Sequence, residues 1–294
     1  MYDHEAVDRY LHFVRARHYV FRARQAGFPQ EEWTDDPILR QRKFTNVFRV
    51  LDHGSQFVVR ELLAPGVSSE DALFRSFAYR YTNRPEPFVR FQERFGRYPT
   101  LGDLRTGLLA ETWRQARADG VPFFGNAYTM FVGAENAGMN RVEWVLGLLK
   151  LTFVDRRIHL GFPSTPAEQQ GVLVRLPRCA DFMAQQIRTD FNYSEHGSVL
   201  QENVFVTGGP GSRRGAAILD PRASVVDVIY DMQQELLDGE CPRLSGRAPS
   251  LMDVQNTLCE FSKYERYRGL PPLKRSAYRT AHPGPTDVVL PPTW

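Results

Sequence analysis

Residues Leu176–Tyr193 read LPRCADFMAQQIRTDFNY. A Leu-Pro pair sets a tight turn. Apolar residues at helical spacing follow at once, so the stretch predicts an amphipathic helix over 180–192. Its polar face carries Gln186 and Asp190 at i, i+4. A turn that ends at a helix N-terminus turns backbone N–H groups outward, where an anion such as phosphate can be held.

Outward from this stretch the same period dominates. Residues 4–26 place Leu11, Val14, His18 and Phe21 on one stripe, and Gly27 is a stop signal. Asp36 before Pro37 reads as an N-cap with proline in the first turn. Phe44, Val47, Phe48 and Leu51 then form a buried face, and Gly54 ends that helix. Further helices are expected at 55–64, 69–83, 100–118, 139–153, 165–175, 223–238 and 251–266. Ser250 and Asp253 have capping-box spacing at the start of the last. Period-two strands are nearly absent: Asn203–Thr207 and Ala217–Leu219 are the best candidates. The expectation is one mainly α domain over 1–270 with few short strands, and an extended tail over 271–294 rich in Pro, Arg and Thr.

The chain of 294 residues carries 37 basic and 34 acidic side chains, a net charge of +3, so it is no polybasic tail protein. Cys179, Cys241 and Cys259 are too few and too scattered for a disulfide framework or a zinc site. The seven histidines lack paired spacing, and GxSxG, HExxH and CxxC are absent. MYDHEAVDRY is charged throughout and no apolar run is long enough to span a membrane, so a soluble cytoplasmic protein without membrane contact is expected.

Four more segments carry chemistry. In EWTDDPILRQRKFTNVFR (32–49), Arg42, Asn46 and Arg49 fall at i, i+4, i+7 beside Lys43. That face is either an anion and base-edge reader or a solvated helix side. In RARHYVFRAR (15–24), Arg15 and Arg22 form one row and Arg17 and Arg24 another, with Tyr19 between. Cations interleaved with an aromatic suit a nucleic-acid backbone, or simply a charged surface helix. GGPGSRRG (208–215) reads as a loop whose Gly209, Gly211 and Ser212 backbone could converge on an anion beside Arg213 and Arg214, or as a flexible connection. It is no Walker A loop. In DVQNTLCEFSKYERYR (253–268), Val254, Leu258 and Phe261 form the core stripe. Asn256, Glu260 and Lys263 share another face near Tyr264, as a surface pair or as a base and phosphate ligand.

The Leu176 turn resembles the LPGVG hairpin of helix-hairpin-helix DNA glycosylases, with Arg178 and Ala180 where that motif has glycines. Arg178 could itself contact phosphate. WTDDPILRQRKFTNVFRVLD, LPRCADFMAQQIRTDFNYS, VTGGPGSRRGA and LCEFSKYERYRG occur in that order over most of 10–270. Together they resemble the bacteriophage α-glutamyl/putrescinyl thymine pyrophosphorylases, also described as amino acid:DNA transferases. A related helical domain is fused to phage 5-hydroxymethyluracil DNA kinases; no kinase P-loop accompanies it here.

The resemblance implies a helical, DNA-glycosylase-like fold. It also implies a substrate of DNA whose 5-hydroxymethyluracil has been activated as a pyrophosphate ester by a separate kinase. The amine of an amino acid such as glycine or glutamate, or of putrescine, would displace the pyrophosphate. The leaving group needs converging cations and N–H donors, for which Gly209, Gly211, Ser212, Arg213, Arg214, Arg42 and Arg49 are the candidates. The amine needs a carboxylate base: Asp190 and Glu260 first, then Asp35 or Asp36, with Lys263 beside Glu260. Extrusion of the base calls for an aromatic platform among Trp33, Tyr128 and Tyr264 and an edge reader in Asn46 or Asn126. Arg15, Arg17, Arg22, Lys43 and Arg178 are candidate DNA contacts. Pyrophosphate is compatible with Mg2+, yet no ligand set is readable. Two other classes fit a basic helical chain. A base-excision glycosylase would need an assisting Asp well past the hairpin, and Asp190 sits close to it. A non-catalytic DNA-binding module would act with the kinase.

Overall fold

The computed structural model describes residues 1–125, 140–197, 199–269 and 287–294. Candidates Asn126 and Tyr128, and most of the tail, lie outside the described residues. The chain divides into two compact units. One combines Met1–Asp52 with Glu202–Val288, the other His53–Gln201 with Val289–Trp294. Among the described residues the structure is helical and has no strand; Leu244 and Arg247 form an isolated antiparallel bridge.

In chain order, the first unit opens with α1 (His4–Gln25) and α2 (Pro37–Gln41). The second unit holds α3 (His53–Phe57), continued by a π-turn over Val58–Leu62, then α4 (Ser69–Thr82), α5 (Glu86–Phe95), α6 (Leu101–Thr106) and α7 (Leu108–Ala118). It goes on with α8 (Arg141–Lys150), extended by a π-turn over Leu151–Asp155, then α9 (Pro166–Leu173) and α10 (Asp181–Asn192). The first unit closes with α11 (Pro210–Leu219), α12 (Val225–Asp238) and α13 (Leu251–Arg268).

Caps fix several of these boundaries. Asp36 accepts from the backbone N–H groups of Ile38 (2.8 Å) and Leu39 (3.1 Å), so α2 starts where the sequence places it. Ser250 and Asp253 form the reciprocal capping box of α13. Gly107, at φ +85°, divides the expected 100–118 helix into α6 and α7. Two helices, α5 and α11, have no counterpart among those expected from the sequence. Pro85 is the N-cap of α5 and Pro87 lies in its first turn, where a missing N–H does no harm, and Phe88 and Phe91 are buried.

In the first unit α13 is the central element. Its Phe261 meets Tyr10 (5.4 Å between ring centroids) and Phe13 (5.9 Å) of α1. On another side α11 lies against it at very short range. A Cβ on Gly211 would overlap the Cys259 sulfur, and one on Gly215 would run into the backbone carbonyl of Leu258. GGPGSRRG is therefore the N-cap and first turns of a helix pressed onto α13, not a loop. Pro210 is pre-set for the first helical position. The strand expected at Ala217–Leu219 falls inside the same helix, and Asn203–Thr207 forms no strand.

In the second unit α10 is the buried element, with Met183 to Asn192 all enclosed. It packs on α4, and Gln170 of α9 donates to the Asp181 carbonyl (2.9 Å), tying α9 to α10 across the Leu176 turn. The last residues join this unit through a reciprocal pair of bonds, 3.0 Å each, between the Gln56 side-chain amide and the Val289 backbone.

Candidate functional site

The helix expected from Pro37 to Gly54 stops at Gln41; Arg42 is already extended (φ −113°, ψ 142°). The physical reason lies in the side chains that meet the backbone of 43–46. Arg17 donates to the Phe44 carbonyl (3.0 Å) and to Asn46 Oδ1 (2.7 Å). The Thr45 N–H reaches Glu260 Oε2 (3.0 Å), and the Lys43 carbonyl accepts from Lys263 Nζ (2.5 Å). The Asn46 N–H donates to Asp52 Oδ1 (2.8 Å), while its side-chain amide donates to the Leu51 carbonyl (2.8 Å) and its carbonyl accepts from Asn256 (3.3 Å). Backbone groups that a helix would pair internally are satisfied from outside. Arg42, Asn46 and Arg49 therefore share no helical face.

What replaces that face is a polar cluster between this extended segment and one side of α13. Asn256, Glu260 and Lys263 all bond to residues 43–46, as their i, i+4, i+7 spacing permits. Lys263 Nζ also lies 3.1 Å from Glu260 Oε2 and 4.6 Å from the centre of the Phe44 ring. Both donors to Glu260, Lys263 and the Thr45 N–H, use Oε2; Oε1 has no protein partner among the described residues. The Glu260 side chain keeps 13 % of its surface open and Lys263 keeps 25 %. This carboxylate is thus anchored by one oxygen and open at the other.

Asp52, absent from the sequence candidates, belongs to the same cluster. Burial pushes its carboxyl up to about 6, against the pull of the Asn46 N–H, Arg49 and Arg17, and nearby Glu260 adds to the rise. A lone Asp after an apolar run gives no sequence signal; only the fold surrounds it. Asp36, beyond its capping role, accepts from Tyr264 (2.6 Å). Burial and that partner push the Tyr264 phenol well above its ordinary range. Tyr264 packs among Phe13, Phe44 and Phe261, so it is a core ring, not an open platform. Asp35 is exposed.

The arginine candidates separate sharply. Arg17 (2 % exposed), Arg49 (2 %) and Arg42 (4 %) are inside the first unit; Arg42 lies over the Tyr267 ring at 4.5 Å, and the Arg49 N–H donates to Asp253 (2.7 Å). Arg15 donates to the Glu240 carbonyl (3.0 Å) and Arg22 is exposed. Trp33 donates to the Phe28 carbonyl (2.9 Å) and carries Arg24 over its ring at 5.2 Å. Lys43, Arg213 and Arg214 are exposed. Burial, with Glu260 beside it, pushes the Cys259 thiol up, while Arg214 and Lys263 pull against that rise. Gly209 and Gly211 are buried. Ser212 donates to the Gly209 carbonyl and accepts from Gln255, both at 3.0 Å.

Asp190 and Arg178 lie in the second unit, outside this cluster. Asp190 is fully buried and paired twice with buried Arg80, through Nε and through Nη2, the latter at 2.6 Å. Arg178 is exposed at φ +58°, a left-handed conformation. An arginine there holds the turn that glycine would make more easily. Among the described residues no group of His, Cys, Asp and Glu could hold a metal, and no helix is long and apolar enough to cross a membrane.

The family model of the helical domain of 5-hmdU DNA kinase matches residues 4–271. The 5-hmdU DNA kinase of Bacillus phage SP10 is 22% identical over 297 residues, covering 88% of this chain and 45% of that protein. The chain thus spans less than half the length of the curated relative it matches. No solved structure matches it.

Proposed function

Because the chain belongs to the family of the helical domain of 5-hmdU DNA kinase, we propose that it acts on DNA during thymine hypermodification. In this reading it is a transferase. The nitrogen of a small amine attacks the exocyclic methylene carbon of a pyrophosphorylated 5-hydroxymethyluracil. The C–N bond forms as the C–O bond to pyrophosphate breaks, and the proton shed by nitrogen passes to a carboxylate.

Glu260 is the carboxylate we assign, on one observation: Oε2 is fixed by Lys263 and the Thr45 N–H while Oε1 is open. A base must be oriented and still able to take a proton, and this arrangement provides both. Asp52 stands within electrostatic reach and, at about 6, holds a proton more readily than an ordinary aspartate. Lys263, exposed Lys43 and Arg214 supply positive charge for the departing pyrophosphate. The buried Arg42 and Arg49 serve instead as struts of the segment that carries Thr45. The left-handed turn at Arg178, tied between α9 and α10, supports the helix-hairpin-helix, DNA-glycosylase-like form of the fold. A kinase would supply the activated base and act as the functional partner.

The coverage of the relative favours a second reading. The chain covers 45% of the SP10 protein and belongs to the family of a helical domain, so it could be a DNA-binding module that serves the kinase without chemistry of its own. One experiment separates the two. DNA containing pyrophosphorylated 5-hydroxymethyluracil is incubated with the protein and with mixed amino acids and polyamines, and its nucleosides are weighed by mass spectrometry. A heavier nucleoside with released pyrophosphate is expected, and its mass names the amine. DNA binding with unchanged nucleosides would leave the module; abasic sites would point to a glycosylase.

A further inference from the structure

The second unit carries a set of arginines that the chemistry above does not use. The π-turn after α8 is followed by Arg156 and Arg157, and the α9–α10 turn holds Arg175 and Arg178; all four are exposed. The two turns are joined, because Arg156 Nη1 donates to the Arg175 carbonyl (3.2 Å). Arg105 of α6 closes the group through His159 Nε2 at 3.0 Å. Burial lowers the proton affinity of His159, and the charges of Arg105 and Arg157 both lower it further. Among the described residues Arg156, Arg157 and Arg175 make no ion pair with a carboxylate, whereas exposed Arg90, Arg94 and Arg114 of the same unit all do. Asp155 lies in the same turn, and Glu70 acts on His159 from α4.

Backbone conformation adds an independent sign. Among the described residues four non-glycine positions have positive φ, and two of them are Arg157 (+50°) and Arg178 (+58°). A left-handed conformation is unfavourable for a side chain of this size, and such strain gathers at functional sites. Two strained turns whose arginines are exposed form a cationic edge. Exposed Leu160 and Val174 lie beside it. Guanidinium is the planar donor suited to phosphate oxygens.

We infer that this edge, formed by Arg156, Arg157, Arg175 and Arg178, docks the phosphate backbone of duplex DNA. The inference rests on the reading that the protein acts on DNA. It assigns the grip on the duplex to the second unit, apart from the Glu260 cluster of the first. Each phosphate contact contributes to the steepness with which salt weakens binding.

The test is fluorescence anisotropy of a labelled duplex titrated with the full chain at several salt concentrations. It compares the native protein with the triple variant Arg156→Gln, Arg157→Gln, Arg175→Gln and with Arg175→Gln alone, whose side chain donates no bond in the described structure. The triple variant should bind about tenfold or more weakly, with a salt slope reduced by about 2–3, and the single variant should lose about one. Retained affinity and slope in both variants, with the native protein binding, would overturn the inference and leave the DNA reading standing. If the native chain binds no DNA, the DNA reading fails and the inference with it. A loss confined to vesicles containing phosphatidylserine, with duplex binding intact, would also overturn it.

Discussion

Asp190 and Glu260 look alike in the sequence: each is a carboxylate on the polar side of an amphipathic helix, among amides and cations. The fold treats them oppositely. Asp190 is sealed inside the second unit with both oxygens on Arg80. Glu260 keeps one oxygen tied to Lys263 and Thr45 and the other open. A buried bidentate pair leaves no room for an incoming amine and no path for its proton. A carboxylate at a cluster's edge has both. The lesson is that spacing nominates carboxylates and packing sorts them into struts and acceptors.

The largest effect should come from breaking the strut. Asp190→Ala strands a buried guanidinium, and loss of one partner of such a pair typically costs about 3–5 kcal/mol. Chemical denaturation should show that loss. A loss near zero would mean Arg80 and Asp190 are open in solution, and the contrast with Glu260 would collapse.

Enclosure also acts on a titratable group of the first unit. Burial, with Arg22 and Arg17 nearby, lowers the His18 imidazole from 6.5 to about 4. The unfolded chain therefore binds its proton first. Stability carried by neutral His18 is complete above about 6.5 and drains as pH falls towards about 4, up to about 3 kcal/mol. Asp52, raised to about 6, works the other way over an overlapping range, because its charged form is the disfavoured one. The net acid slope of the native protein is then shallow. His18→Leu should leave the Asp52 trend alone, so that stability rises as pH drops from 6 to 4. An unchanged pH profile would count against a neutral, enclosed His18.

These contrasts mark what the sequence could and could not show. Helix positions with strong local signals were legible: the Asp36 and Ser250 caps and the stripe on α1 all stand where their residues place them. The segment 42–48 was not, because its apolar spacing fits a helix and the forces that extend it come from distant Arg17, Asn256, Glu260 and Lys263. GGPGSRRG was misleading for the reverse reason. Its glycines suggest a flexible loop, yet Gly211 and Gly215 lack side chains so that α11 can touch α13. Of the candidate site, the grouping of Asn256, Glu260 and Lys263 was readable from helical period; the meeting with 43–46, the loss of Arg42 and Arg49 to the interior and the presence of Asp52 depend on tertiary packing.

That glycine contact supports the helix bearing Glu260, and it offers the next test. Gly215→Ala places a methyl against the Leu258 carbonyl and must push the helices apart, at about 1–3 kcal/mol. An exposed Gly→Ala inside a helix would instead stabilise. Loss of stability, read as a lower Tm, is the expected outcome; a gain would show that α11 sits further from α13 than the structure has it.

The smallest effect on stability should come from Glu260→Gln. The amide keeps an oxygen for the Thr45 N–H and for Lys263, and the partly open side chain loses only a weak ion pair, so the change should be about 1 kcal/mol or less. The effect on product is expected to be the reverse. An amide cannot take the proton shed by the attacking amine, and removal of a positioned base typically slows a reaction by about 10²–10⁴-fold. The measurement is the rate of heavier-nucleoside formation set beside the Tm of the same preparation. A slow enzyme that melts normally would establish that the open oxygen of Glu260 serves chemistry. A variant that forms product at the native rate would move the base elsewhere, with Asp52 the next carboxylate to substitute. Asp190→Asn provides the reference for that comparison, because a loss of activity there should follow the loss of folded protein and should not exceed it.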